Sequence, residues 1–239
     1  GTNTQIGEAG DTTNLSAGTV TLPTSIITGA SEKTTLVDAD KFLIADSADS
    51  NAFKHVQKSN LPSGTLVKVA QSSIAAGSSV AAINFSNIFS STYNTYFVRM
   101  SKVRFVGANP LNLRFFSDTG TSEIALSYYY FAFYGLDMSS NEERDAGNGD
   151  NKLVLTASLD YDQPADGGVT GFFYIDNPLA NSSFSVNVTG QFGYRNDSNV
   201  FNGVNFAGKF SGSSARYGFK LYGSSNVEYA DVTVYGVTP

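Results

Sequence analysis

The sequence contains no cysteine and only one histidine. Without cysteine the chain can form neither disulfides nor thiolate ligands, so its stability depends on apolar burial and on association. Charged residues are also scarce, at 15% of the 239 residues, and the net charge is −6. An acidic chain with scattered Lys and Arg is a poor partner for a phosphate backbone, and we therefore expect no binding to nucleic acid.

Long apolar runs are missing as well. No stretch approaches the roughly 18 residues that a membrane-spanning helix needs, so the sequence predicts no membrane insertion. The opening GTNTQIGEAG has neither an initiator Met nor the apolar segment of a signal peptide, and we expect a processed product or a piece of a longer chain. The polar residues are mainly Ser, Thr, Asn and Gly, a composition that suits extracellular and virion proteins.

Aromatic residues, in contrast, are plentiful. They make up 13% of the sequence, with 18 Phe and 13 Tyr, which is enough for a sizeable core. One stretch near the C-terminus places apolar side chains at every second position, with Gly190 in the single gap: Phe184, Val186, Val188, Phe192 and Tyr194. A period of two with one apolar face is typical of a half-buried strand, so the sequence predicts a compact antiparallel β domain.

The same pattern recurs along most of the chain, with Gly, Asn, Asp and Ser in the intervening turns. It predicts strands near residues 65–71, 80–86, 93–106, 111–117, 124–136, 152–159, 168–175, 183–195, 203–211, 215–222 and 227–236. Residues 137–151 are interpreted as a turn, and no long helix is expected. Eleven strands with short connections favour an all-β, antiparallel two-sheet sandwich of jelly-roll-like form.

Two strands depart from simple alternation. In residues 124–136 both faces are apolar from Tyr128 to Tyr134, which indicates a central strand covered on each side, a strand packed on a second subunit, or simply a Tyr-rich strand. In the last strand the apolar phase shifts at Ala230 and Asp231, and this shift predicts a β-bulge.

The first 64 residues differ from the rest. We divide the chain into an N-terminal segment of short β pieces, residues 1–64, and a β-sandwich, residues 65–239. The β pieces are predicted at Thr19–Leu22, Lys41–Ala45 and Ala52–Gln57. Large apolar side chains are so few here that the segment cannot easily bury a core alone. It would need a neighbouring domain or identical chains beside it.

Catalytic groups are hard to assemble from this sequence. His55 lies in the polar N-terminal region, where we expect an exposed or subunit-packed imidazole. A polysaccharide-cleaving enzyme would need two carboxyl groups roughly 5 to 9 Å apart. The acidic residues considered for that role are Glu123, Asp137, Glu142, Glu143, Asp160, Asp162, Asp166, Asp176 and Glu228. We interpret Glu142 and Glu143 as part of a solvated loop, and we expect neither catalysis nor a cofactor.

Two acidic segments offer oxygen atoms of the kind that Ca²⁺ prefers. The first supplies Asp145, Asn148, Asp150 and Asn151, and the second supplies Asp160, Asp162, Gln163 and Asp166. Neither matches an EF-hand. Turns held by Asx hydrogen bonds are the simpler interpretation, and no metal site is predicted.

Glycan binding needs an aromatic face and several planar polar side chains on a rigid support. Two segments meet this description. The first is Tyr161 with Asp160, Asp162 and Gln163, and the second is Tyr194 with Arg195, Asn196 and Asp197 at the end of a strand. Tyr194 also continues an inward-facing row, so it is equally interpreted as a core residue. The Tyr161 segment is therefore the first candidate for receptor binding.

The N-terminal residues resemble parts of bacteriophage tail fibres. The segment TTLVDADKFLIADSADSNAFKHVQKSNLPSG (34–64) is similar to a fibre linker with an acidic turn, a D-x-F-L-I-x-D strand, a polar turn and a K-x-V-x-x-S-N-L strand. Here those strands are residues 40–46 and 54–61. Upstream, QIGEAGDTTNLSAGTVTLP (5–23) resembles one short repeat of a fibre shaft.

The remaining residues resemble a jelly-roll domain that ends many phage and prophage fibre proteins. The matching segments are YNTYFVRMSKVRF (93–105), LNLRFFSDTGTSE (111–123), SYYYFAFYGLD (127–137), GGVTGFFYIDNPLANSSF (167–184), GQFGYRND (190–197) and SSNVEYADVTVYGV (224–237). In the last of these, Ser225 stands where the family has glycine. The resemblance implies a homotrimeric virion appendage. In it, residues 1–64 would form an intertwined β shaft or linker segment, and residues 65–239 a distal domain that touches a host surface.

These observations lead to three hypotheses. The first is an extracellular phage fibre protein, a homotrimer that contacts other virion proteins through its N-terminal end and a host-surface glycan or protein through its sandwich. Three copies per fibre would raise avidity without a tight single site. The second is a purely structural head, collar or capsid fibre. The third is a polysaccharide-cleaving tailspike, which the short domain makes the least favoured.

Overall fold

The computed structural model describes residues 39–46, 52–57, 66–138, 141–157, 168–179, 185–195, 200–213 and 215–238. Within these ranges the structure is all-β and antiparallel, with no helices, as the alternating pattern predicts. The chain divides into two compact units, Gly1–Pro62 and Ser63–Pro239.

The strands are numbered here in chain order. The first unit contains β1 (Lys41–Asp46) and β2 (Ala52–Gln57). The second unit contains β3 (Leu66–Ile74), β4 (Ile83–Phe85), β5 (Thr95–Phe105), β6 (Asn112–Phe116), β7 (Tyr129–Asp137), β8 (Glu142–Asp150), β9 (Leu153–Val154), β10 (Val169–Asp176), β11 (Val186–Arg195), β12 (Phe201–Phe210), β13 (Gly218–Tyr222) and β14 (Val227–Val237).

In the first unit, β1 and β2 form an antiparallel pair in which Phe42 lies opposite Val56 and Leu43 opposite His55. This pairing agrees with the predicted strands at residues 41–45 and 52–57. The third predicted strand, Thr19–Leu22, lies outside the described residues. A lone two-stranded sheet is marginal in water, so this pair by itself adds little stability.

The second unit is a sandwich with the strand order of a jelly roll. The strands β3-β14-β5-β10 form one half of it, and the strands β4-β13-β6-β9 form the sheet that faces them. The chain passes between the two sheets at successive strands, so each sheet consists of strands that are distant in sequence. This topology explains why strands from both ends of the unit share one core.

Two hairpins widen one of the two sheets. The strands β7 and β8, inserted between β6 and β9, and the strands β11 and β12, inserted between β10 and β13, all join the sheet beyond β10. The larger sheet therefore has eight strands in the order β3-β14-β5-β10-β11-β12-β7-β8, whereas the smaller sheet has four. The larger sheet consequently presents a broad outer face on the side away from the core.

Phenylalanine side chains from both sheets interlock in the core. Phe219 of the smaller sheet packs against Phe173 of the larger one, with ring centroids 5.9 Å apart. Phe115 and Phe210 meet across the sheets at the same distance. All four side chains are fully buried. Aromatic pairs in such tilted or edge-on arrangements contribute about 1 kcal/mol beyond the area that they bury.

The prediction of a turn at residues 137–151 is wrong for most of that segment, because Glu142–Asp150 is the edge strand β8. It pairs with β7 from Leu136 opposite Glu142 to Tyr129 opposite Asp150. Its Gly, Asp and Glu content hides it from an apolar-alternation rule, since an edge strand needs no buried face. Charges along such an edge also discourage pairing with other chains.

The proposal of a strand covered on both faces at residues 124–136 is also wrong. In β7, Phe131 and Phe133 point into the core, whereas Tyr134 and Leu136 expose 50% and 51% of their surface. The outer face of β7 is therefore open within this chain. The β-bulge predicted at Ala230 and Asp231 is confirmed, because the register of β14 against β5 shifts just after Asp231.

A matched pair of glycine substitutions tests the close packing of β10 and β11. Gly171 has φ of +153°, and a Cβ there would collide with the carbonyl oxygen of Gln191. We expect Gly171→Ala to lower the free energy of unfolding by about 3 kcal/mol. A Cβ added to Gly203 in β12 would have no other atom within 4 Å. Urea unfolding should therefore leave Gly203→Ala close to the parent, and equal losses in both variants would contradict the packing described.

Candidate functional site

The outer face of the larger sheet carries a cluster of aromatic side chains. Phe97 of β5 lies 5.8 Å from Phe172, 5.2 Å from Tyr174 and 6.0 Å from Tyr235, measured between ring centroids. Phe97, Phe172 and Tyr235 are half-buried, and Tyr174 exposes 38% of its surface. Aromatic rings on the solvent side of a sheet serve no core, so they form a candidate contact surface.

Two amide side chains lie beside this cluster. Gln191 of β11 is opposite Phe172, and Asn205 of β12 is opposite Gln191. The Gln191 Nε2 donates a hydrogen bond to the Asn205 Oδ1 at 3.0 Å. This bond holds the two planar amides side by side. Because both residues are exposed, the Gln191 Oε1 remains available as an acceptor and the Asn205 Nδ2 as a donor.

The register continues to a second aromatic residue. Asn205 lies opposite Tyr134 of β7. Phe172, Gln191, Asn205 and Tyr134 therefore form one line across four adjacent strands, which we name the aromatic–amide row. Neighbouring strands are about 4.8 Å apart, so Phe172 and Tyr134 are separated by roughly 14 Å. The row thus presents two apolar platforms with a polar centre.

Glycine residues beside the row leave shallow depressions in the surface of the sheet. Gly171, Gly193 and Gly203 line a shallow depression together with Phe172, Gln191 and Asn205. Thr189 and Gly190 line an adjoining one that reaches Tyr174. Because glycine has no side chain, a ligand can approach the backbone of the sheet here. The face is accordingly a flat, open platform and not a deep pocket.

A second apolar group lies at the far end of β7 and β12. Leu136, Met138 and Phe201 expose 51%, 80% and 48% of their surfaces. The Met138 amide donates to the Phe201 carbonyl oxygen at 3.0 Å, which holds the two residues together. These side chains extend the open face beyond Tyr134.

The residues predicted to bind a receptor are only partly described. Asp160, Tyr161, Asp162, Gln163 and Asn196 lie outside the described residues. Asp166 and Asp197 also lie outside them. For these positions the proposed role stays a prediction.

Tyr194 belongs to the core and is not available to a ligand. It exposes 1% of its surface, and its hydroxyl oxygen accepts a hydrogen bond from the Ala157 amide at 3.2 Å. Burial raises the pKa of this phenol. The alternation of β11 predicted this inward direction, and we therefore remove Tyr194 from the receptor site. Arg195, the next residue, is half-buried opposite Phe201.

The calcium candidates Asp145, Asn148 and Asp150 belong to β8 and do not form a loop. Side chains alternate along a strand, so Asp145 and Asn148 point to opposite faces. The Asp145 Oδ1 instead accepts a hydrogen bond from the Ala146 amide at 2.8 Å. Across the described ranges, no three acidic or histidine side chains form a group that could hold a metal ion.

Several of the described carboxylates make separate local contacts. Glu228 accepts from Arg104 at 2.7 Å on the larger sheet. Asp176 accepts from Thr95 at 2.8 Å, and Asp137 accepts from the Asn141 amide at 2.7 Å. These bonds tie neighbouring segments together, which is the ordinary structural role of such groups.

Glu123 lies on the outer face of the smaller sheet between Arg114 and Lys220 and pairs with both. Burial opposes its ionisation, but the hydrogen bonds and charges of Lys220 and Arg114 outweigh that effect and lower the pKa of the carboxyl group. Both cations also lie over the ring of Tyr222, at 5.2 and 4.1 Å from its centroid. This network ties β6 to β13.

His55 is exposed on β2, opposite Leu43. An exposed imidazole was one of the two predicted environments. As for membranes, the described residues include no helical segment with the length and apolarity that a bilayer crossing requires.

Sequence reasoning missed the outer face because it searched the loops. The signal was present in the strands: Phe97, Phe172 and Tyr174 occupy the polar phase of strands whose other phase is already apolar. An aromatic residue at an outward position of a half-buried strand is unexpected on packing grounds. Only residues 124–136 were recognised as having two apolar faces.

Comparisons of the chain with models of known protein families, with curated proteins and with solved structures found no match.

Proposed function

We propose that this chain is an adhesive structural protein of a bacteriophage appendage, and that its β-sandwich binds host-surface glycan without covalent chemistry. The observation that carries the binding proposal is the aromatic–amide row on the outer face of the larger sheet. Sugar rings pack their C–H faces on aromatic side chains, and their hydroxyl groups pair with planar amides. The motifs that resemble phage fibre proteins, and the order in which they occur along the sequence, support the assignment to a virion.

The proposed binding mode is broad and shallow. The exposed Gln191 and Asn205 offer both a donor and an acceptor, and Phe172 and Tyr134 offer apolar platforms on either side. An open platform of this kind suits an extended chain better than a small molecule, because small ligands need a concave site that buries most of their surface. Each contact would be weak, and several copies would act together.

We further propose that the chain works as a homotrimer on the outside of the virion. The support comes from the first unit, where the described strands β1 and β2 form only a two-stranded sheet with exposed Lys41, Lys54 and His55. Such a sheet is stabilised when other strands pack on it. Light scattering of the full chain should give about three times the chain mass, and a stable folded monomer would contradict the trimer.

A purely structural role in the virion is the second candidate. The exposed Leu136, Met138 and Phe201 favour it, since exposed apolar groups of this kind often mark protein–protein contacts. In that case the outer face would bind another virion protein. Host cells would then not bind the isolated chain.

The test is a binding screen with the labelled full chain. Its probes are alginate, polygalacturonate and a phosphate-bearing teichoic-type polymer as acidic polysaccharides, and dextran and galactomannan as neutral ones, each immobilised at equal mass. We expect saturable binding to at least one probe, with no shortening of its chains. Failure to bind any probe or any bacterial cell would overturn the adhesive function and leave the structural role.

A further inference from the structure

The aromatic–amide row continues at both ends into an arginine. Arg99 of β5 lies opposite Phe172, and Arg144 of β8 lies opposite Tyr134. Six adjacent strands therefore carry, in one line, Arg99, Phe172, Gln191, Asn205, Tyr134 and Arg144. We name this line the extended row. It is nearly symmetric, with cations outside, aromatic residues next and amides at the centre.

The charges at the two ends are accessible. Arg99 is exposed, and the Arg144 side chain is 76% exposed. Arg144 forms an ion pair with Glu142 at 3.5 Å, and an exposed pair of this kind is weak, so it leaves the guanidinium group open to exchange with another anion. The flanking Glu143 and Asp145 belong to the opposite phase of β8. The extended row itself contains no carboxylate, although the chain as a whole carries a net charge of −6. The row thus places two cations at the ends of a neutral line, on a chain whose net charge is negative.

The dimensions also favour a long ligand. Arg99 and Arg144 are five strand spacings apart, which is roughly 24 Å. No single sugar spans that distance, whereas a short stretch of polysaccharide does. The guanidinium group binds carboxylate and phosphate through two parallel N–H donors, so each end of the row is suited to an anionic substituent.

We infer that the ligand of this face is an anionic polysaccharide that lies across the strands, perpendicular to β10 and β7. Its sugar rings pack on Phe172 and Tyr134, its hydroxyl groups pair with Gln191 and Asn205, and its carboxylate or phosphate groups bind Arg99 and Arg144. This inference rests on the proposed function and narrows it to one class of glycan and one orientation.

A single-stranded nucleic acid also combines anionic charge with rings that stack on aromatic side chains. It is disfavoured here, because binding to a nucleic-acid backbone requires many closely spaced cations. The extended row supplies only two, separated by a neutral stretch, on a chain with 21 acidic and 15 basic residues. Two widely spaced cations are enough for an acidic glycan whose charged groups recur at intervals along the chain.

The experiment uses the full chain and the five polysaccharides named above, with oligo-dT as a further probe. Binding is measured at 50 and 300 mM NaCl for the parent, Arg99→Gln, Arg144→Gln and the control Lys41→Gln. Lys41 is an exposed cation of the first unit and is not a member of the row, so its substitution changes the net charge by the same amount as each arginine substitution.

We expect an acidic polysaccharide to bind better than the neutral ones. Arg99→Gln and Arg144→Gln should each weaken binding about five- to tenfold at low salt and less at high salt, since salt screens exposed charges. Lys41→Gln should bind as the parent does.

Four results would overturn the inference, and they differ in what they say about the proposed function. A preference for neutral polysaccharides, or unchanged binding in both arginine variants, refutes the anionic ligand but keeps glycan recognition. Binding of oligo-dT in place of any polysaccharide refutes both. Absence of binding to every probe counts against the proposed function itself.

Discussion

Replacing Phe172 with alanine is expected to weaken polysaccharide binding by about 30-fold, the largest binding loss of any single change on this face. Phe172 belongs both to the aromatic cluster, 5.8 Å from Phe97, and to the aromatic–amide row beside Gln191. Truncating an anchor residue of this kind typically costs about 2 kcal/mol, and each 1.4 kcal/mol is a factor of ten in affinity. Biolayer interferometry on the immobilised polysaccharide would measure the change.

The control is Tyr128→Ala. Tyr128 exposes 45% of its surface but precedes β7 and takes no part in the row. Tyr128→Ala should leave the affinity within about twofold, because it removes an aromatic ring that lies outside the row. If Tyr128→Ala weakened binding as much as Phe172→Ala, or if Phe172→Ala had no effect, the ligand would lie elsewhere.

Replacing Arg216 with methionine is expected to destabilise the sandwich by about 3 kcal/mol. Arg216 is fully buried, and burial lowers the pKa of its guanidinium group. Its Nε donates to the Pro178 carbonyl oxygen at 2.8 Å, and one terminal nitrogen donates to the Gly212 carbonyl oxygen at 3.0 Å. Methionine keeps most of the volume but leaves these buried acceptors unsatisfied, and each such group costs about 1–3 kcal/mol.

Thermal unfolding would detect this change as a fall of roughly 6–12 °C in the midpoint, given the size of the unit. Arg99→Met is the matched control, since Arg99 is exposed on the outer face. Its stability should remain within about 0.5 kcal/mol of the parent. Equal losses in the two variants would show that removal of a positive charge, and not the loss of buried hydrogen bonds, destabilises the fold.

The fold class could be predicted from the sequence, because apolar and polar residues alternate along half-buried strands. In β11 the predicted inward residues Val186, Val188, Phe192 and Tyr194 are all buried. The strand β8 could not be predicted from alternation, because it buries no apolar face. Its backbone pairing with β7 is what holds it in the sheet. The pairing of strands distant in sequence, such as β14 with β5, follows from the three-dimensional topology, which alternation does not encode.

The candidate site was less accessible than the fold. Sequence reasoning asked for aromatic and planar polar residues close together in one loop, and it therefore selected Tyr161 and Tyr194. The aromatic–amide row instead draws each residue from a different strand, and its members are as far apart as Tyr134 and Asn205 in sequence. Only the register of four strands brings them into line. Aromatic and planar amide residues are again the types that the glycan-binding proposal uses, but their assembly depends on sheet topology.

We propose that the outer face of the larger sheet is the binding surface. The most direct test is an NMR titration of the ¹⁵N-labelled chain with fragments of the best-binding polysaccharide, monitoring side-chain amide signals. We expect the Gln191 and Asn205 NH₂ signals to shift in a saturable manner. The signals of Asn94 and Asn177, which line a depression at another part of the sandwich, should not shift. Shifts confined to Asn94 and Asn177, with Gln191 and Asn205 unchanged, would contradict it.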